Sequence, residues 1–120
     1  MIYTSYYGNH RQYKGMFRVS ISRTAPPNSH DIQLKKLAPE LRLLQAFKNG
    51  SITNDEYIIT YTDQLLRLDN TGYIEQVVGA LHTVTDDVVL LCYEKKGDFC
   101  HRHILSEWLN SHYSTGIREL

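Results

Sequence analysis

The chain of 120 residues carries 13 Lys plus Arg against 13 Asp plus Glu, a formal charge of zero, with 42% hydrophobic and 22% charged residues. That length suits a single globular domain over residues 1–120 and leaves no room for a second core of ordinary size, while the composition excludes disorder for most of the chain. Zero net charge removes any global attraction for nucleic acid or an acidic membrane, so anion binding has to be local and a long polyanion is disfavoured as a partner.

The opening Met1-Ile2-Tyr3-Thr4-Ser5-Tyr6 lacks the basic segment and apolar core of a secretory signal, and no apolar run is long enough to span a bilayer. The expectation is a cytoplasmic protein with no membrane partner. Two cysteines eight positions apart are too few for a disulfide framework and should stay reduced, each available as a thiol or a metal ligand.

Ile2 to Tyr7 has strand composition and stops at Gly8-Asn9. A second strand runs from Phe17 to Ser22, where Phe17, Val19 and Ile21 alternate with polar residues before Ala25-Pro26-Pro27-Asn28 ends it. The loop from Arg23 to His30 is irregular, has a basic residue directly after a strand, and is a candidate binding loop. Pro39 suits a first helical turn; Leu41, Leu44 and Phe47 recur at helical spacing, and Gly50 is positioned to cap the end. Thr53-Asn54-Asp55-Glu56 has the spacing of a capping box, with Tyr57, Tyr61, Leu65 and Leu68 as the apolar stripe beyond it.

A third helix is expected from Tyr73 to Thr83 with Ile74, Val77, Val78 and Leu81 inward. Val88 to Tyr93 is an uninterrupted apolar run rich in branched residues, which reads as a central strand covered on both faces. Asp98 is the expected N-cap of a last helix burying Ile104, Leu105, Trp108 and Leu109. Gly116 to Leu120 can add a short edge strand. The predicted fold is α/β, with a mostly parallel sheet of three to four strands flanked by about four helices.

In such folds ligands bind beyond the carboxyl ends of the strands, where helix N-termini also point. The segment from Cys92 through Glu94 to Cys100-His101-Arg102 spans that junction. At about 100° per helical residue, His101 lies near the centre of the buried stripe, with Cys100 and Arg102 on its borders. A thiol in a first helical turn beside a guanidinium is biased toward thiolate, which makes Cys100 the candidate reactive group. Cys92, at the end of a buried strand, should be neutral packing or a resolving partner.

Each of these residues also has a structural reading. Free cysteine is a common core residue, His101 can simply satisfy a strand-end carbonyl, and Arg102 can pair with Glu94 or Asp98. Tyr6, Tyr7 and Tyr93 at strand ends can form a stacking wall which, with Arg23 and Arg102, would hold a nucleobase and phosphate; equally they are amphipathic rim residues.

A metal is not expected. His103 points about 160° away from His101, and the spacing is not the paired CxxC pattern of zinc sites. Ser106 rather than Arg stands six residues after Cys100, which disfavours phosphatase-loop chemistry. No cofactor is expected, since no glycine-rich nucleotide motif occurs.

Leu90-Leu91-Cys92-Tyr93-Glu94 followed by Cys100-His101-Arg102, with Glu107-Trp108-Leu109 on the same helix, resembles the signature of the domain-of-unknown-function family numbered 488, the YeaO-like proteins. The opening Ile2 to Tyr6 and the strand ending Ser22-Arg23, followed by Pro26, are similar to that family's first two strands. The resemblance implies an α/β fold and shared polar residues at Thr4, Tyr6, Arg23, Cys92, Glu94, Cys100, His101, Arg102 and Glu107. Ser22 departs from the acidic residue more usual before the Arg, so a general base at that position would be missing here.

Three functional readings stand at this point. In the first, the protein is an enzyme acting on a phosphate-bearing or nucleotide-like anion. Cys100 would be its nucleophile or redox thiol, His101 the proton-transfer partner and Glu94 an acid, base or orienter, with Arg23 and Arg102 as clamps and Thr4, Tyr6, Cys92 and Tyr93 contacting substrate. In the second, the same arginines, the helix N-terminus and the tyrosines bind such an anion without turnover. In the third, the motif only stabilises the strand-loop-helix junction and the protein works through a partner surface.

Overall fold

The computed structural model, which describes residues 1–120, is built on a fully parallel sheet. Its strands are β1 (Ile2–Tyr6), β2 (Phe17–Ser20), β3 (Ile32–Gln33), β4 (Val88–Cys92) and β5 (Arg118–Glu119), in the spatial order β3-β2-β4-β1-β5. The helices are α1 (Leu41–Lys48), α2 (Asn54–Asn70), α3 (Tyr73–His82) and α4 (His101–Tyr113). The α/β class and the four helices agree with expectation. The sheet has five strands rather than three to four, because the two-residue β3 is too short to leave a pattern, and the tail does add β5 beside β1.

β4 lies between β1 and β2, with Ile2 and Phe17 both opposite Val88 and Leu90 opposite Thr4 and Val19. All five of its residues are buried, as a continuous apolar run in a parallel sheet predicts. Alternation along the strand divides its side chains. Val88, Leu90 and Cys92 join Ile2, Val19 and Ile21 in the main core with residues of all four helices. Val89 and Leu91 face the other way, onto Tyr7 and Tyr13. The second face is therefore covered not by helices but by the β1–β2 connection, which includes a short 3-10 turn at Tyr7–Asn9. Parallel strands that do not pair need such a crossover. No helix is long and apolar enough to cross a membrane.

The capping box forms as expected: Glu56 N donates to Thr53 Oγ1 at 3.1 Å and Thr53 N to Glu56 Oε1 at 3.0 Å. Tyr57, Tyr61 and Leu65 of α2 are buried, as are Ile74, Val77, Val78 and Leu81 of α3. Two expectations need correction. On α1 the buried residue is Leu43, while Leu41 is exposed and Leu44 and Phe47 are half-buried; so short a helix does not fix its own rotation, and packing against α2 does. Gly50 does close it, with a φ of +77°. Its N–H bonds to Phe47 O at 3.2 Å and that of Ser51 to Ala46 O at 2.9 Å, the paired bonds of a Schellman cap.

The second correction concerns α4. Asp98 does not cap it, because Lys95 to Asp98 close a turn of their own, with Asp98 N donating to Lys95 O at 3.1 Å and Gly97 at a φ of +90°. The N-cap is Cys100, whose sulfur accepts from Arg102 N.

Candidate active site

β2 and β4 end side by side, and the chain leaving each turns over the same edge of the sheet. After β2 come Ser22 and Arg23; after β4 come Tyr93 and Glu94, and the chain returns at Cys100 to begin α4. A cleft of about 250 Å³ opens between them, lined by Arg23, Lys48, Tyr93, Glu94, Cys100 and His101 among others. A larger cavity beside it, about 460 Å³ and also touching Arg23, is lined by Lys35, Lys36 and Arg67 and holds none of the sulfur or imidazole groups. Reactive groups, not volume, identify the site.

Cys100 Sγ lies at the floor of the cleft. It is 2.7 Å from Cys92 Sγ, 3.2 Å from Glu94 Oε2 and 3.7 Å from His101 Nδ1. His101 is buried toward the sheet, as its helical angle predicted, and its Nε2 is 2.7 Å from Ile21 O. A carbonyl can only accept, so Nε2 carries the proton and Nδ1 presents a lone pair to Cys100. Burial drives the His101 value down to about 4, which keeps the ring neutral.

The two thiols have different surroundings, and the side chain of Arg102 goes to only one of them. Its guanidinium is 0% exposed. Nη1 donates to Cys92 Sγ at 3.0 Å and to the Glu94 carbonyl, while Nε and Nη2 donate to the Glu119 carboxylate, the latter at 2.8 Å. Thr4 Oγ1 donates to the same carboxylate at 2.6 Å, and the Tyr6 ring lies 5.9 Å from the guanidinium carbon.

The hydrogen bond from Cys100 and the nearby guanidinium hold the Cys92 thiol below its ordinary value against the opposing effect of burial. Cys100 is pushed up, first by its bond to Cys92 and then by burial. The two thiols are therefore displaced in opposite directions, Cys92 toward the thiolate and Cys100 toward the protonated form. These directions are the opposite of the expected bias of Cys100 toward thiolate and of Cys92 toward the neutral thiol: Arg102 is near Cys100 in sequence, but its side chain reaches back to Cys92 at the strand end.

The nine residues singled out from sequence thus fall into two layers. Arg23, Tyr93, Glu94, Cys100 and His101 line the cleft. Cys92, Arg102, Thr4 and Tyr6 form a chain of contacts behind it and do not line it. Arg102, expected as an anion clamp, directs its donors at protein acceptors in a fully buried setting. Glu107 is exposed on α4.

Sequence reasoning missed three contributors. Lys48 and Tyr57 line the cleft from α1 and α2, and no local pattern marks them. Glu119 was foreseeable in kind, because a buried guanidinium needs a carboxylate partner, but not in position.

Arg23 is exposed; its Nη1 reaches Pro39 O at 3.4 Å, leaving its other donors free to face the cleft. Tyr93 is 48% exposed and packs edge-on against Tyr7 at 4.9 Å between ring centres. Tyr7 belongs to the second face of the sheet, where its hydroxyl bonds Ser20 and Ser22. Ser22 thereby has a structural task in place of a carboxylate.

Ligand atoms of Cys92, Cys100 and His101 all lie within 4.8 Å of one another, a set that in type suits a soft metal ion; His103 does not join them. The Arg102 guanidinium, hydrogen-bonded to Cys92, sets a fixed positive charge where a cation would have to bind, so the donor set fits a metal poorly.

The family model described as the active DUF488-N3 subclade matches residues 2–113. No curated protein and no solved structure matches the chain. With the cysteine pair, the Cys100-His101-Arg102 run and nearly the full length of the fold covered by that match, the chain belongs to the DUF488 family.

Proposed function

We propose that this protein is a thiol-dependent enzyme of the cytoplasm acting on a small phosphate-bearing or nucleotide-like anion. The observation that carries the reading is Cys100 Sγ on the cleft floor, within 3.2 Å of Glu94 Oε2 and 3.7 Å of His101 Nδ1, beneath a rim that includes Arg23 and Lys48. The two cations attract the substrate anion, and Tyr93 offers an aromatic face beside it. Cys100 attacks as its proton leaves for Glu94. Glu94 is assigned this task over His101 because it stands closer and burial has taken basicity from the imidazole. His101, tethered to Ile21 O, orients the sulfur. The word "active" in the subclade's description agrees with a catalytic role.

A second reading, an anion-binding module without turnover, is favoured by the upward push that the bond to Cys92 and burial give the Cys100 thiol. Alkylation with iodoacetamide, followed by mass mapping, separates the two. The enzyme reading expects modification at Cys100 that inorganic phosphate or a nucleoside monophosphate slows, with the protection lost in Arg23→Ala or Lys48→Ala. Thermal stabilisation by the same anions with an unreactive Cys100 supports the module. No protection and no stabilisation would remove both.

A further inference from the structure

The proposed function uses Cys100 and leaves Cys92 without a task, yet Cys92 is the better provided of the two. It is fully buried at the end of β4, 2.7 Å from Cys100 Sγ and 3.0 Å from Arg102 Nη1. A cysteine kept only for packing is neutral and needs no charged partner. Here a buried guanidinium is held against it by Glu119 and Thr4, and burying such a pair is costly unless the geometry serves a purpose. That provision matches what a resolving thiol requires: a cation against the sulfur that favours thiolate, no access for outside reagents, and contact with the sulfur that substrate meets first.

We propose that Cys92 and Cys100 work together as a dithiol that reduces a bound anion by two electrons at an electrophilic sulfur. This rests on the reading of Cys100 as the nucleophile. Cys100 attacks the substrate's sulfur–sulfur bond, forming a mixed disulfide and expelling one thiolate. Its own proton passes to Glu94 and on to the departing thiolate. The Cys92 thiolate then attacks Cys100 Sγ, forming the Cys92–Cys100 disulfide and expelling the second half as a thiolate. The substrate gains two electrons, the cysteine pair loses two, and a thiol or dithiol reductant of the cell returns the pair to its starting state.

The location of Cys92 also restricts the substrate. Attack on Cys100 Sγ displaces whatever that sulfur carries only if the fragment leaves with the electron pair. A thiolate does so readily; the carbon of an acyl group or a phosphoryl phosphorus does not. A dithiol in this arrangement therefore suits sulfur electrophiles and offers no route for releasing an acyl or phosphoryl adduct. The cationic rim directs the choice toward those bearing a carboxylate or phosphate.

The test uses dithionitrobenzoate, an aromatic disulfide with two carboxylates and a coloured leaving thiolate. The full chain should release two coloured thiolates per molecule and end two hydrogens lighter, with no adduct. Cys92→Ser should release one and retain the other half on Cys100, and Cys92→Ala should behave likewise, with circular dichroism reporting that each variant is folded. Cys100→Ser should react far more slowly, Cys92 being inaccessible.

The neutral hydroxyethyl disulfide should react at least several-fold more slowly than the anionic probe, and Arg23→Ala should narrow that gap. A lasting mixed disulfide on Cys100 in the unmodified protein, or adducts on both cysteines, would overturn the dithiol while leaving Cys100 as a nucleophile. An unreactive Cys100 in every form would overturn both. Equal rates for the two probes would remove the anionic substrate.

Discussion

Arg102 Nη1 bonds the sulfur of Cys92, eight residues before the cysteine it was expected to serve, at 3.0 Å. The guanidinium is completely enclosed and is balanced by Glu119 at 2.8 Å. Arg102→Met is expected to lower stability by about 3 kcal/mol, since it strands Glu119 and Cys92 in a poorly solvated setting. The double variant Arg102→Met, Glu119→Met should recover part of that loss, because no charge is left unpaired. Urea midpoints of the three proteins measure both effects. A double variant no more stable than Arg102→Met alone would mean that the two side chains do not act as a pair.

His101 makes stability depend on pH in a definite direction. Its folded value, about 4, lies below the ordinary 6.5. In that interval the unfolded chain binds the extra proton, so stability is full above the ordinary value and declines as pH falls toward the folded one. A shift of this size corresponds to roughly 3 kcal/mol as an upper bound. Burial is the main cause, with Arg102 and His103 also lowering the value and Glu94 opposing them. His101→Gln, which can keep the bond to Ile21 O, should flatten this part of the profile; urea midpoints at about pH 7 and about pH 5 give the comparison. An unchanged slope in the variant would move the titration to another group.

Gln64 ties the cleft wall to α2. Its side chain accepts from Glu40 N at 3.0 Å and donates to Ala38 O at 2.7 Å, on either side of Pro39, whose carbonyl receives Arg23. Gln64→Leu leaves those backbone groups unmatched and should cost about 2 kcal/mol. It should also weaken protection of Cys100 by phosphate more than Thr53→Ala does, although Gln64 does not line the cleft. Alkylation rates with and without phosphate report this, and equal protection in both variants would make Gln64 purely structural.

The capping box gives a remote comparison. Thr53→Ala removes the acceptor for Glu56 N and is expected to cost about 1 kcal/mol. The thermal midpoint should fall while Cys100 reactivity stays unchanged. A change in reactivity would connect the start of α2 to the site.

The strongest sequence signals came from elements long enough to repeat a pattern. The α2 and α3 stripes and the unbroken Val88–Cys92 run were legible because burial at period 3.6, or on both strand faces, leaves few alternatives. Leu43 was not, because eight residues at α1 give two turns and several adequate faces. Gln64 was hidden inside an otherwise apolar stripe: a glutamine is retained there only because the Lys36–Glu40 backbone brings polar groups against it.

At the site, the CHR run and its position before a helix were readable, as was the inward direction of His101. The distribution of charge was not. It depends on β5 bringing Glu119 beside Thr4, a contact between opposite ends of the sequence that no local spacing records.

The strand order has a kinetic corollary. β1 and β2 are consecutive in the chain but do not touch; β4, synthesised some seventy residues after β2, is wedged between them. Neither early strand has its main partner until the late one arrives, and contacts of such large sequence separation form slowly and together. Insertion of β4 also delivers Cys92 to its partners, so assembly of the sheet and creation of the reactive sulfur pair are a single cooperative event, and partly folded chains lack a competent thiol.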